Sequence, residues 1–229
     1  MSIGQLWAQT NLRMGLHLNA NSNDYSGNAL NGTDTNIAYS NGVIGGNGAS
    51  YNGSSSKIAL SSSLDTPLKT ASFTMLFVIK TGATVSFYGI NRGIVLATEY
   101  YGIGLNGEGT SLTAIRNQGE ATSRMHTFSA TIATNTKYLV AWTYNKSNGA
   151  SVIYLGNLAT GVLLSSNNTL GTGNVAFKAS YDVGYNLNAN LRNVSDGYGY
   201  GTINEAIVFS DIKTASWIAR YLSLLRGMY

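Results

Sequence analysis

Ten carboxylates, two histidines and no cysteine make up the acid–base and nucleophilic inventory of this 229-residue chain. Glycan hydrolysis needs two carboxyl groups on either side of the scissile bond, about 5–10 Å apart. A β-strand can supply such a pair from alternate positions, because those side chains share a face. The acids here are Asp24, Asp34, Asp65, Glu99, Glu108, Glu120, Asp182, Asp196, Glu205 and Asp211, and no two lie within four residues of each other. Nucleophilic hydrolysis has no better support, since there is neither a thiol nor a G-x-S-x-G turn to present a serine. His17 falls in the alternating run LRMGLHL and His126 in RMHTF, and each reads as a strand residue rather than a base. Two histidines without thiols propose no transition-metal site. The chain is therefore not expected to be an enzyme.

Binding chemistry is more abundant. Sugar faces stack on tyrosine or tryptophan, while their hydroxyls take hydrogen bonds from amides, carboxylates and guanidinium groups. Three segments place an aromatic beside such a group: Tyr88, Asn91 and Arg92 in YGINR, Tyr100 and Tyr101 after Glu99, and Asp196, Tyr198 and Tyr200 in DGYGYG. Asn106 and Arg116 could add to them. The competing reading is that these tyrosines are strand and edge residues of a β protein holding 15 Tyr. Trp142 and Trp217 are assigned to the core, and Trp7 to an N-terminal docking segment within residues 1–12. Calcium takes six to eight oxygens, and NSNDYSGN offers Asn21, Asn23, Asp24 and Asn28, with Asn23 and Asp24 the candidate ligands. The alternative there is an Asx-rich turn with Asp24 capping backbone N–H groups. That turn is preferred, and no cofactor is expected.

Composition bounds the class. The chain carries 27 Gly, 25 Asn, 25 Ser and 22 Thr but is 44% hydrophobic and only 10% charged. It can bury a core without disulfides, and its length suits one β domain spanning residues 1–229. Its 14 basic residues never cluster, which argues against nucleic-acid binding despite a net charge of +4. No apolar run approaches the ~20 residues of a membrane helix, and the N-terminus lacks the pattern of a secretion signal. Five Asn-x-Ser/Thr sequons, at Asn31, Asn52, Asn145, Asn167 and Asn193, are unsurprising in this composition.

The elements that must position these groups are mostly strands. Runs at 55–60, 72–80, 137–144, 151–155 and 203–209 are rich in β-branched and aromatic residues and are separated by Gly/Asn turns. In SFTMLFVIK both faces are apolar, which predicts a central strand covered on both sides. KYLVAWTY puts its bulky residues on one face and turns through YNKSNG, where Asn148-Gly149 is expected to supply positive φ angles. One helix is expected near Thr214–Arg226, with Trp217, Ile218, Tyr221, Leu222 and Leu225 forming a stripe, Thr214 as N-cap and Gly227 as stop.

The order of these pieces resembles laminin-G-like domains. LHLNANSNDYSGNALNGT, GGNGASYNGSSSKIAL and SFTMLFVIKT follow one another as they do there. KYLVAWTYNKSNGASVIYLGNLATG is similar to the central hairpin, YDVGYN to the glycine-marked strand, and GTINEAIVFSDIKTASWIARYL to the closing strand and helix. The resemblance implies an all-β fold: a concanavalin-A-like jelly roll of two antiparallel sheets, six or seven strands each, with one short C-terminal helix. Two departures stand out. Asn204-Glu205 replaces the acidic pair usual on the closing strand, and residues 86–131 find no counterpart.

Together these features favour a non-enzymatic virion component of a tailed bacteriophage. It would be a capsid-decoration, fibre or tail-associated jelly roll whose loops bind host or environmental glycans. Its expected partners are other virion proteins, further copies of itself and a glycan, with neither nucleic acid nor membrane insertion. The alternative is a stand-alone, lectin-like carbohydrate-binding module, and a glycoside hydrolase comes last.

Overall fold

In the computed structural model the described residues are 5, 9–92, 101–118, 125–175, 185–190 and 197–228. The first half of the chain contains β1 (Leu12–His17), β2 (Thr33–Thr35), β3 (Ala38–Asn41), β4 (Asn47–Asn52), β5 (Lys57–Leu60), β6 (Phe73–Tyr88), β7 (Ile90–Asn91) and β8 (Tyr101–Glu108). It continues through β9 (Ser111–Gln118), β10 (Met125–Ser129), β11 (Lys137–Tyr144), β12 (Ala150–Asn157) and β13 (Leu163–Thr169). The last elements are β14 (Tyr185–Leu187), β15 (Ala189–Asn190), β16 (Gly197–Tyr198), β17 (Tyr200–Phe209) and the helix α1 (Ala215–Arg226).

These strands form the two-layered antiparallel sandwich expected from their alternating pattern. β17 is central to one layer. It pairs with β1 and β4 on one side and with β6 on the other, and β11, β12 and β13 follow outward. The second layer holds β10, β9 and β8, and the short sheet β2-β5-β14-β7. The layers are not independent sheets. β6 runs 16 residues: Phe73–Lys80 pairs with β11, while Ser86–Tyr88 pairs with β8 in the opposite layer. A break in register between Thr81 and Ser86 lets it cross. The resulting eleven-stranded sheet curls until its end strands β10 and β13 meet, where buried His126 lies 2.9 Å from Ser151 Oγ and 3.1 Å from Ser166 Oγ.

Two apolar clusters follow from this arrangement. Phe73, Met75, Phe77 and Ile79 of β6 point between the layers with Trp142, Val140, Ile153 and Leu105. Leu76 and Val78 point outward and are covered by α1 through Ile218, Tyr221, Leu222 and Leu225. The strand apolar on both faces is thus buried on both. Each such side chain contributes about 1.5–3 kcal/mol of transfer free energy. Thr214 Oγ1 accepts from Trp217 N at 3.2 Å and starts the helix, and Gly227 caps it. Trp142 is a core residue. Trp217 is only partly buried, stacking on Tyr221 at 5.6 Å.

The β11–β12 turn differs from expectation. Only Gly149 has a positive φ, and its N–H donates to Asn145 O at 2.8 Å. The turn is therefore longer than a two-residue hairpin, and Asn145 Oδ1 holds it by accepting from Ser147 N. The stretch 86–131 that resembled nothing contains the end of β6, β7, and the β8-β9-β10 meander. Among the described residues no helix is long and apolar enough to cross a membrane.

Candidate functional site

Most of the residues singled out by type turn out to build the protein. Tyr88 is buried and its hydroxyl reaches Glu108 Oε1 at 3.3 Å, while Asn188 Oδ1 accepts from its backbone N–H. Asn91 is 2% exposed and donates to Gly89 O. Arg92 pairs with Asp65 and lies 4.9 Å over the Tyr185 ring, whose hydroxyl pKa is raised, chiefly by burial and then by the Asp65 charge. Arg116 is fully buried: its guanidinium sits 4.1 Å over Tyr144 and donates to Gly173 O and Lys69 O. Asn106, opposite Tyr88 and Thr113, has a buried Oδ1 without a hydrogen bond. Nominated as possible ligand contacts, Tyr88, Asn91 and Arg116 are instead turned inward by the sandwich. Tyr101 begins β8, paired with Gln118. Tyr100, Asp196 and Trp7 lie outside the described residues.

Asp24 takes the turn role. Its Oδ1 accepts from Gly15 N and Ser26 N, both at 2.9 Å, and its Oδ2 from Ser26 Oγ at 2.7 Å and Leu30 N at 2.9 Å. Both oxygens of this carboxylate are thus engaged by donors of the loop and of β1. Asn21 closes an Asx turn beside it, its Oδ1 accepting from the Asn23 backbone N–H at 3.0 Å.

Tyr200 stands apart. It opens β17 and keeps 39% of its surface exposed at the mouth of a cleft of about 250 Å³. Two glycines put it there. A Cβ on Gly82 would come within 2.1 Å of Tyr200 Cδ1, so the ring lies against bare β6 backbone. A Cβ on Gly201 would meet Lys80 O at 2.4 Å, and its φ of +133° is one that only glycine adopts freely. The cleft wall is polar, with Asn41, Ser50, Lys80, Asn135 and Thr202. Asn41, the last residue of β3, and Asn135, in the turn before β11, are exposed and have positive φ, 47° and 51°. Thr81 is already engaged, its hydroxyl donating to Ala133 O at 2.7 Å. Tyr51, in register with Gly201, is buried, and desolvation pushes its hydroxyl pKa well above the usual value. Tyr198, on β16, is half-buried. A second cleft of about 280 Å³, lined by Arg13, Asn28, Leu30, Ser63, Thr66 and Pro67, offers no ring for stacking.

Of the nominated residues that are described, then, only Tyr200 lines the aromatic cleft. Lys80, Gly82, Asn41 and Asn135 were missed. A usable signal existed for Lys80: it ends an otherwise apolar strand, just where a central strand must emerge from cover. Gly82 follows it by two residues on β6, whereas Asn41 ends β3 and Asn135 lies in the turn before β11, and the pairing of β17 with β4 and β6 is what brings them together.

The six carboxylates among the described residues each have a partner. Besides Asp24, these are Asp34 with Tyr39, Asp65 with Arg92, Glu108 with Tyr88, Glu205 with His17 and Asp211 with Lys213. Glu205 is 3% exposed and lies 2.5 Å from His17 Nδ1.

No protein-family model and no curated protein sequence matches this chain. Solved structures do. The binding domain of botulinum neurotoxin DC, in complex with rat synaptotagmin II, superposes with a TM-score of 0.64 at 16% identity, covering 94% of this chain and 52% of that one. Tailspike protein 2 of the Escherichia coli O157:H7 bacteriophage CAB120 gives 0.60 at 14% identity over 98% of this chain and 29% of the tailspike. The CBM40 of the Ruminococcus gnavus IT-sialidase, bound to α2,3-sialyllactose, gives 0.57 at 12% identity over 83% of this chain and 95% of that module. This chain thus spans about half of the toxin fragment and under a third of the tailspike. At these identities the shared property is the fold, a concanavalin-A-like jelly roll.

Proposed function

We propose that this chain is a non-enzymatic, glycan-binding jelly roll displayed on a virion, with the Tyr200 cleft as its contact site. The observation that carries the reading is the Tyr200 ring, held partly exposed against Gly82 in a cleft that Asn41 and Asn135 also line. Stacking plus a few fixed hydrogen bonds is the chemistry a sugar ring requires. The partnered state of the described carboxylates favours binding over hydrolysis, because a general acid and a base must both be free to meet substrate.

The virion assignment draws support from the tailspike match and from the Asn-, Ser-, Thr- and Gly-rich composition, which suits wet contacts with neighbouring virion proteins or with further copies of this chain. A free-standing carbohydrate-binding module is the second reading, favoured by the match over 95% of the CBM40.

A glycan array probed with wild type and with Tyr200→Ala tests the binding, and immunogold labelling of source particles tests the location. Specific array signals that fall in the variant are expected. A wild-type chain that binds no glycan refutes the reading.

A further inference from the structure

We propose that the Tyr200 cleft selects an acidic sugar, a ring carrying a carboxylate or sulfate that Lys80 receives; this rests on the glycan reading above. Lys80 is the last member of the outward row of β6, after Thr74, Leu76 and Val78. Where α1 covers that row the residues are apolar, and Lys80 is the point at which it opens into the cleft. In register it faces Lys137 of β11 on one side and Thr202 of β17 on the other.

Among the described residues no acid is placed to cancel the Lys80 charge. None of the cleft's lining residues is Asp or Glu. Among the described residues Lys80 has no carboxylate partner. Glu205 registers with Val78, two positions back on the same face, but it is buried and bridged to His17. Among the described residues the cleft thus combines one ring platform, two exposed asparagines and one cation, with no carboxylate in its lining. A neutral sugar would use the ring and amides and leave Lys80 merely solvated. An acidic sugar uses all three, and charge-assisted hydrogen bonds to an ammonium are the stronger kind.

The test is an array carrying matched neutral, carboxylated and sulfated oligosaccharides, read with wild type, Lys80→Gln and Lys80→Arg, with Tyr200→Ala alongside. Acidic glycans are expected to bind about tenfold tighter than their neutral counterparts and to lose about that factor in Lys80→Gln, one charge-assisted contact being the difference. Lys80→Arg should keep most of the binding, and wild-type binding should weaken as salt rises from about 50 to about 300 mM. Preference for one acidic set over the other identifies the group received. Neutral glycans that bind as well as acidic ones, lose binding in Tyr200→Ala and ignore Lys80→Gln would overturn this inference and leave the glycan reading standing. Silence across the array removes both.

Discussion

Removing His17 should uncover one of the larger electrostatic liabilities of this fold. Glu205 is 3% exposed, its Oε1 lies 2.5 Å from His17 Nδ1, and its Oε2 is buried with no hydrogen-bond partner. Burial pushes the Glu205 carboxyl above its ordinary 4.5, opposed by His17, while donating a hydrogen bond to Glu205 pushes His17 above 6.5. Taking away one partner of a buried pair costs about 3–5 kcal/mol, because the remaining charge is left uncompensated. The His17 side chain is 42% exposed, so water reaches the vacated space and about 2–3 kcal/mol is expected for His17→Ala. For a domain of this size that corresponds to a fall in Tm of about 5–10 °C. Glu205→Gln in the His17→Ala background removes the stranded charge and should recover most of the loss. Urea denaturation of the four proteins in the cycle gives the coupling directly. The His17 part of the stabilisation is complete below about pH 6.5 and is lost as pH rises through the elevated His17 value; the elevated Glu205 value acts in the same direction, from about 4.5 upward. The advantage of wild type over the double variant should therefore be greater near pH 5.5 than near pH 9. A His17→Ala protein within ~0.5 kcal/mol of wild type, or additive single effects, would refute the argument.

Gly82→Ala should displace the Tyr200 ring, since the new methyl would sit 2.1 Å from Cδ1, and should weaken glycan binding as Tyr200→Ala does, by about 1–3 kcal/mol; titration calorimetry reads both. Tyr200→Ala itself should leave Tm nearly unchanged, and a large fall would instead make Tyr200 a core residue. Asp24→Ala removes the acceptor of four donors and should cost about 2–4 kcal/mol in urea melts, while added calcium leaves the wild-type Tm where it was. Burial depresses the pKa of His126, so its contribution is present above about pH 6.5 and is lost as pH falls, the opposite slope to His17. A His126→Gln protein should lose that acid sensitivity, and an unchanged profile between pH 7 and about pH 5 would show that the seam does not depend on the neutral ring.

Local pattern carried the architecture. Alternation along β11 and β17, a β6 segment apolar on both faces, and the stripe from Trp217 to Leu225 each constrain their own neighbourhood, because a side chain's face follows from its position in a strand or helix. The Asx turn around Asp24 was legible for the same reason, its donors lying mostly within six residues. What the pattern could not carry was which polar side chains end up outside. Arg116 and Asn91 look like surface groups by type, yet the crossing of β6 between layers and the curl that brings β10 to β13 enclose them, with π faces and backbone carbonyls as partners. Residue type predicts exposure only on average, and long-range pairing decides each case. The cleft belongs wholly to that second category. Tyr200, Gly82, Asn41 and Asn135 are brought together by strand register across much of the chain, and the absence of a side chain at Gly82 has meaning only once the Tyr200 ring lies against it.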